Sequence, residues 1–162
     1  MSFRMPVLFL LLAVQNTWLG STPVAAQARA AIGTYELVNA GTRQLPIMVS
    51  RIIPGEGTTL RSARLELMSA GRLRGEIVVS FTDSGTVTDT ILADGRWRAD
   101  GDTVRLTYQW SRPRWEGGTR VFEPAQPVAG TVIGSELILP EFAYFNDDFF
   151  GHAAPLHFRR VR

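Results

Sequence analysis

Residues 33–162 predict an all-β fold, an antiparallel up-and-down barrel of about 8–10 strands. Three observations carry this. Short runs with apolar residues at every second position recur through the stretch. Gly, Asp and Ser turns punctuate these runs at intervals too short for parallel crossovers. No part of it has a clear helical period. A meander of this length would leave two open edges unless it closed on itself, so a barrel is the economical arrangement.

The first strand is Gly33-Thr34-Tyr35-Glu36-Leu37-Val38-Asn39, with Tyr35 and Leu37 on one face and Thr34, Glu36 and Val38 on the other. Ala40-Gly41-Thr42 turns. Leu45-Pro46 then enters a second run, Ile47 to Ile53, where Pro46 fits a strand start or an edge. Pro54-Gly55-Glu56-Gly57 is a loop by composition. Residues 58–70 carry two periods at once. Leu60, Ala63, Leu67 and Ala70 have helical spacing, with Gly71 to end a helix; Ala63, Leu65 and Leu67 alternate with Arg64, Glu66 and Met68 as in a strand. A strand is adopted, because a tight turn and another strand follow.

Arg72 to Thr82 places Ile77, Val79 and Phe81 on one face, and Asp83-Ser84-Gly85 turns a hairpin. Thr86 to Leu92 is a Thr-rich strand. Ala93-Asp94-Gly95 is expected to turn into a short run, Arg96-Trp97-Arg98, before the turn Asp100-Gly101-Asp102. Thr103 to Trp110 has the cleanest alternation: Val104, Leu106, Tyr108 and Trp110 inward, Arg105, Thr107 and Gln109 outward. A basic, aromatic loop occupies 111–118. Short strands follow at 119–123, 128–133 and 136–139, then a long aromatic connection over 141–155, then a last strand from Leu156 to Val161.

Residues 1–28 read as an export signal. Arg4 precedes an apolar run of eight, Val7 to Val14, far short of the ~20 residues that span a bilayer. Val24-Ala25-Ala26 and Ala26-Gln27-Ala28 both have the small-x-small form of a cleavage site. Cleavage after Ala28 is expected, with Ala26 as the alternative. That leaves one domain, 29–162, periplasmic or extracellular and without a stable membrane anchor. The chain has no Cys, so neither a disulfide nor a lipidated Cys is available. All 17 basic residues are Arg, against 15 acidic ones, for a net charge of +2. So small a net charge gives no ground to expect a nucleic-acid partner.

Several of these segments carry a family likeness. The first strand, Leu45-Pro46, the turn Ser69-Ala70-Gly71-Arg72, Ala93-Asp94-Gly95-Arg96-Trp97 and the terminal Phe158-Arg159-Arg160-Val161 together resemble small exported bacterial lipocalin-like proteins. The resemblance implies a barrel whose interior holds a small apolar ligand. Lipocalins have a Gly-x-Trp in the first strand, covered by an Arg from the barrel's end. The matching positions here are Gly33 and Tyr35, with Arg159 or Arg160 as the closing cation.

Candidate chemistry is sparse. Trp110, Arg112, Arg114 and Trp115 would gather at one mouth, where guanidinium groups over indole faces bind anionic or aromatic ligands; the plainer reading makes Trp110 core and leaves the Arg residues solvated. Phe142, Tyr144, Phe145, Phe149 and Phe150 make 141–155 a lid, a partner-docking patch or a hydrophobic plug closing one barrel end. Tyr35, Tyr108 and Asp89 complete the candidate ligand set. Asp89 would face the interior if Val87 and Ile91 do; the register with Thr88, Thr90 and Leu92 inward leaves it in water, and is the expected one, since Asp is rarely buried. Asn146, Asp147 and Asp148 are consecutive and cannot converge on calcium. Glu141 with Asp147 or Asp148 is a carboxylate pair of unspecified separation. His152 and His157 lack further metal ligands. There is no phosphate loop and no nucleophile elbow. The chain therefore predicts a binder rather than an enzyme, with no cofactor: a lipocalin-like barrel for a small apolar or amphipathic ligand. The alternative is a plugged barrel that meets a partner through 111–118 and 141–155. The deciding quantity is how far the lumen is filled by Tyr35, Phe81, Leu106, Tyr108, Trp110 and their neighbours.

Overall fold

The computed structural model describes residues 29–50, 57–82, 86–112, 119–123, 126–143 and 154–161. Residues 29–31 are helical. The strands are β1 (Gly33–Ala40), β2 (Arg43–Gln44), β3 (Ile47–Ser50), β4 (Gly57–Leu67), β5 (Arg72–Thr82), β6 (Thr86–Asp100), β7 (Thr103–Arg112), β8 (Arg120–Phe122), β9 (Val128–Ile133), β10 (Glu136–Leu139) and β11 (Leu156–Arg160). Eight of them close an antiparallel barrel. Going round, β1 pairs with β11, then come β10, β9, β7, β6, β5 and β4, and β4 returns to β1. The expected up-and-down barrel is the observed one.

Closure is in register. Tyr35 faces Arg160 and Leu37 faces Phe158 across β1–β11, while Gly33 faces Leu67 and Glu36 faces Arg64 across β1–β4. β1 and β4 part beyond that point. The second half of β1 pairs with β2, and the first half of β4 pairs with β3, so the connection between them fills the wedge with two short strands. β8 lies against the end of β7.

The ambiguous 58–70 segment is a strand as far as Leu67, followed by a 3-10 turn at Ser69–Gly71. Burial explains the choice: Leu60, Ala63, Leu65 and Leu67 are buried with Arg64 and Glu66 exposed between them. A bulge between Leu60 and Ser62 resets the alternation, and Arg61 there donates through Nε to the buried Ser80 hydroxyl at 2.9 Å.

Two expectations about the strands need correction. Ala93-Asp94-Gly95 is not a turn. β6 runs straight through it, paired with Leu73, Arg74 and Gly75 on β5 and with Tyr108, Gln109 and Trp110 on β7. Gly95 serves close packing instead: a Cβ there would strike the Thr107 carbonyl and Tyr108. Ser111 and Arg112 are not loop but the last residues of β7, opposite Val121 and Arg120. The second run is preceded by the two-residue β2, and its 51–53 portion lies outside the described residues, as does the 83–85 hairpin turn.

The barrel has two unlike ends. Gly33, Leu67, Arg72, Thr103, Glu136 and Arg160 gather at one, where the turns are tight. The chain leaves the other for the longer connections after β3, β7 and β10. Inside, Tyr35, Leu65, Leu67, Leu106, Leu137, Leu139 and Phe158 are fully buried. Outside, charges follow a rule. Glu136, Arg159, Glu36, Arg64 and Glu76 succeed one another across β10, β11, β1, β4 and β5 with alternating sign. Glu66, Arg74 and Asp94 do the same across β4, β5 and β6. Opposite charges directly across a ladder stabilise it modestly. A wall of this kind is unlike the apolar band of a membrane-spanning barrel. Among the described residues no helix is long and apolar enough to cross a membrane either.

Candidate functional site

At the tight end, Arg160 of β11 lies over the Tyr35 ring, its guanidinium carbon 5.1 Å from the centroid. One Nη donates to the Tyr35 hydroxyl at 2.5 Å and to the Ala30 carbonyl. The Tyr35 hydroxyl in turn donates to the Ala31 carbonyl at 2.8 Å. The cation over the first-strand aromatic is thus Arg160; Arg159 points outward between Glu36 and Glu136. The helical residues 29–31, with Ala31 buried, close this end, and Trp97 Nε1 pins the β4–β5 turn by donating to the Met68 carbonyl at 2.9 Å.

The middle of the lumen is occupied. Phe142, just past β10, has none of its surface exposed. Its ring lies 5.3 Å from that of Tyr108 on β7 and 6.0 Å, edge to face, from that of Phe158 on β11. On β5 it fills the space a side chain at Gly75 would need, beside Ala93 of β6. One aromatic ring therefore meets the inward faces of β5, β7 and β11. The next residue, Ala143, has a left-handed backbone (φ 55°), and its N–H donates to the Tyr108 hydroxyl at 2.9 Å. Burial pushes the Tyr108 hydroxyl well above the ordinary tyrosine range; the Ala143 hydrogen bond opposes the shift and the Glu141 carboxylate adds to it.

Towards the other end, Asp89 corrects the expectation of a solvated carboxylate. Ile91, Ala93 and Trp97 of β6 are buried while Thr88 and Leu92 are exposed, so Asp89 shares the inward register and is 4 % exposed. The inward pattern of the longest strand overrides the preference of a single Asp, and the Thr90 N–H donates to its carboxylate at 2.8 Å. Trp110 is half-buried rather than core, stacked on Phe122 of β8 with centroids 4.3 Å apart. Arg112 is placed only through its β7 backbone; Arg114, Trp115, Tyr144, Phe145, Phe149 and Phe150 lie outside the described residues. Of the proposed ligand set, Tyr35 and Tyr108 sit at different levels of the packed lumen, and Asp89 sits nearer the long connections.

No protein-family model, curated protein or solved structure matches this chain. Among the described residues no three His, Asp or Glu side chains come together as a metal site. Concave surface is found on the outer wall: a groove of about 540 Å³ runs beside Arg96, Thr107 and Gln109 under Glu123, Gln126 and Pro127. A second, of about 410 Å³, lies between Arg64, Arg74, Glu76 and Asp94.

The sequence missed two features. Phe142 is one aromatic among five in its segment, and only Gly75, small on an otherwise bulky inward row, hinted that a ring from elsewhere would fill the gap. The second is a group of four outward Arg residues, Arg72, Arg96, Arg98 and Arg105. Each is outward by simple alternation, but only the strand register brings them together.

Proposed function

We propose that the protein acts outside the cytoplasm as an interaction module, a plugged barrel that offers its walls and loops to a partner. The observation that carries this reading is the Phe142 ring seated at the centre of the lumen between Gly75, Tyr108 and Phe158. Eight-stranded barrels are just wide enough to be filled by side chains or to hold one small ligand. Here a ligand at mid-lumen would have to take Phe142's place. The connections that follow β7 and β10 are the proposed contact with an envelope component or another protein. Native mass spectrometry of the protein purified from its own host tests this: the expected mass is that of the mature polypeptide alone, and a co-purifying small apolar molecule overturns the reading.

A second reading keeps the lipocalin-like container, with an apolar or amphipathic ligand held above Phe142 near the loop end. The observation favouring it is Asp89, a carboxylate facing inward within an apolar wall, the usual composition of a small-molecule site. Under this reading Asp89→Asn changes the affinity for the co-purified ligand; under the first there is none to bind.

A further inference from the structure

The wall formed by β5, β6 and β7 breaks the charge rule of the rest of the barrel. Arg72 stands directly opposite Arg96, and Arg98 directly opposite Arg105. All four side chains are exposed. Directly opposed residues have Cβ atoms ~4.5–5.5 Å apart, and like charges so placed destabilise a sheet. Arg96 and Arg98 are alternate residues of one strand, so the two pairs form a single zigzag of four guanidinium groups, about 10 Å wide from β5 to β7. Among the described residues the ion pair on this wall is Arg74 with Asp94, at 3.6 Å; none of the four takes part in it.

We propose that this quartet is a binding site for a narrow, base-free chain of phosphate groups. The site lies on the outer wall and is independent of whether the lumen holds a ligand. Each opposed Arg pair presents two planar forks to neighbouring phosphates of the chain, one fork to each, so that the quartet meets four phosphates. The repulsion within each pair, unfavourable in the free protein, becomes attraction to the bound anion. The shape of the charge selects a chain over a flat anionic surface. Asp94 and Asp100 flank the quartet on β6, and Glu66 lies just beyond Arg74; a lipid surface resting on the wall would meet these carboxylates, whereas a narrow chain passes between them. Among the described residues no aromatic side chain faces out of the wall beside the quartet, which argues against single-stranded nucleic acid. The residues facing out of β5 to β7 at this level are Arg, Glu, Asp, Thr and Gln, so bases would have nothing to stack on.

The test is equilibrium binding of inorganic polyphosphate to the mature protein. With four phosphates contacted and a salt exponent of ~0.7 each, affinity should fall about 50-fold between 50 and 200 mM salt. Arg96→Gln with Arg105→Gln, one residue from each pair, should cut affinity at least about tenfold and halve the exponent, while leaving the melting temperature unchanged or higher. Arg64→Gln with Arg159→Gln removes the same net charge from the alternating row and should leave binding intact. The proposal is overturned by failure to bind at low salt, or by equal losses in the two double variants. It is also overturned if oligothymidylate or anionic phospholipid vesicles bind more tightly than polyphosphate.

Discussion

Phe142 is held by shape, and its removal should be costly. Phe142→Ala empties the centre of the lumen and should lower stability by ~3–5 kcal/mol, read from urea unfolding. Gly75→Ala pushes a methyl into the same ring and should cost ~1–3 kcal/mol. In the double variant the two losses should partly cancel, because the methyl then occupies space the ring has vacated. Tyr108 supplies a pH signature. Its hydroxyl stays protonated in the folded barrel well above the pH of ~10 at which the unfolded chain's tyrosines ionise. The unfolded state therefore releases a proton that the folded state keeps. Stability is full below pH ~10 and falls by up to ~1.4 kcal/mol per pH unit above it. Tyr108→Phe should flatten that decline in urea midpoints measured from about pH 9 to 11, at the cost of leaving the Ala143 N–H without its acceptor. At this scale Tyr35, Leu106 and Tyr108 were legible as inward from alternation alone. Asp89 was misjudged because a preference for water was set against a strand whose other inward residues had already fixed its face.

Connections and strands were legible where period and punctuation agreed, and not where they conflicted. β5 and β7 follow from alternation that runs unbroken between turns. Ala93-Asp94-Gly95 has the composition of a turn, yet pairs on both sides, because tertiary packing needed a Gly at that point of β6. β2 is two residues long and leaves no periodic trace. The β4–β5 turn invites a test at the element scale. Ala70 and Gly71 both adopt left-handed backbone, with φ 64° and 71°, a conformation that disfavours a side chain by about 1 kcal/mol. Ala70→Gly should therefore raise stability by up to ~1 kcal/mol. Gly71→Ala should lower it by more, since its Cβ would also lie 2.9 Å from the Trp97 carbonyl. Thermal melts of the two variants should move in opposite directions.

For the whole molecule, closure was predictable because an open meander would expose two edges, and the β1–β11 and β1–β4 pairings remove them. What fills the lumen was not, since it depends on where a residue beyond the last hairpin comes to rest. The cap over the tight end makes a global prediction. Arg160→Ala removes hydrogen bonds to the Tyr35 hydroxyl and the Ala30 carbonyl, and should cost ~1.5–3 kcal/mol. Amide exchange should quicken at residues 29–36 and 158–161 before it does in β5 and β6; a uniform loss of protection would contradict the cap's local role.

The alternating charges have one more consequence, for how neighbouring segments find their alignment while the chain folds. Apolar patterning repeats every second residue, so it cannot distinguish the correct pairing from one displaced by two. Sign can. Sliding β4 by two positions along β5 sets Arg64 against Arg74 in one direction and Glu66 against Glu76 in the other, and a comparable shift of β1 along β4 sets Glu36 against Glu66. Grease brings these segments together; the order of plus and minus tells them where to stop.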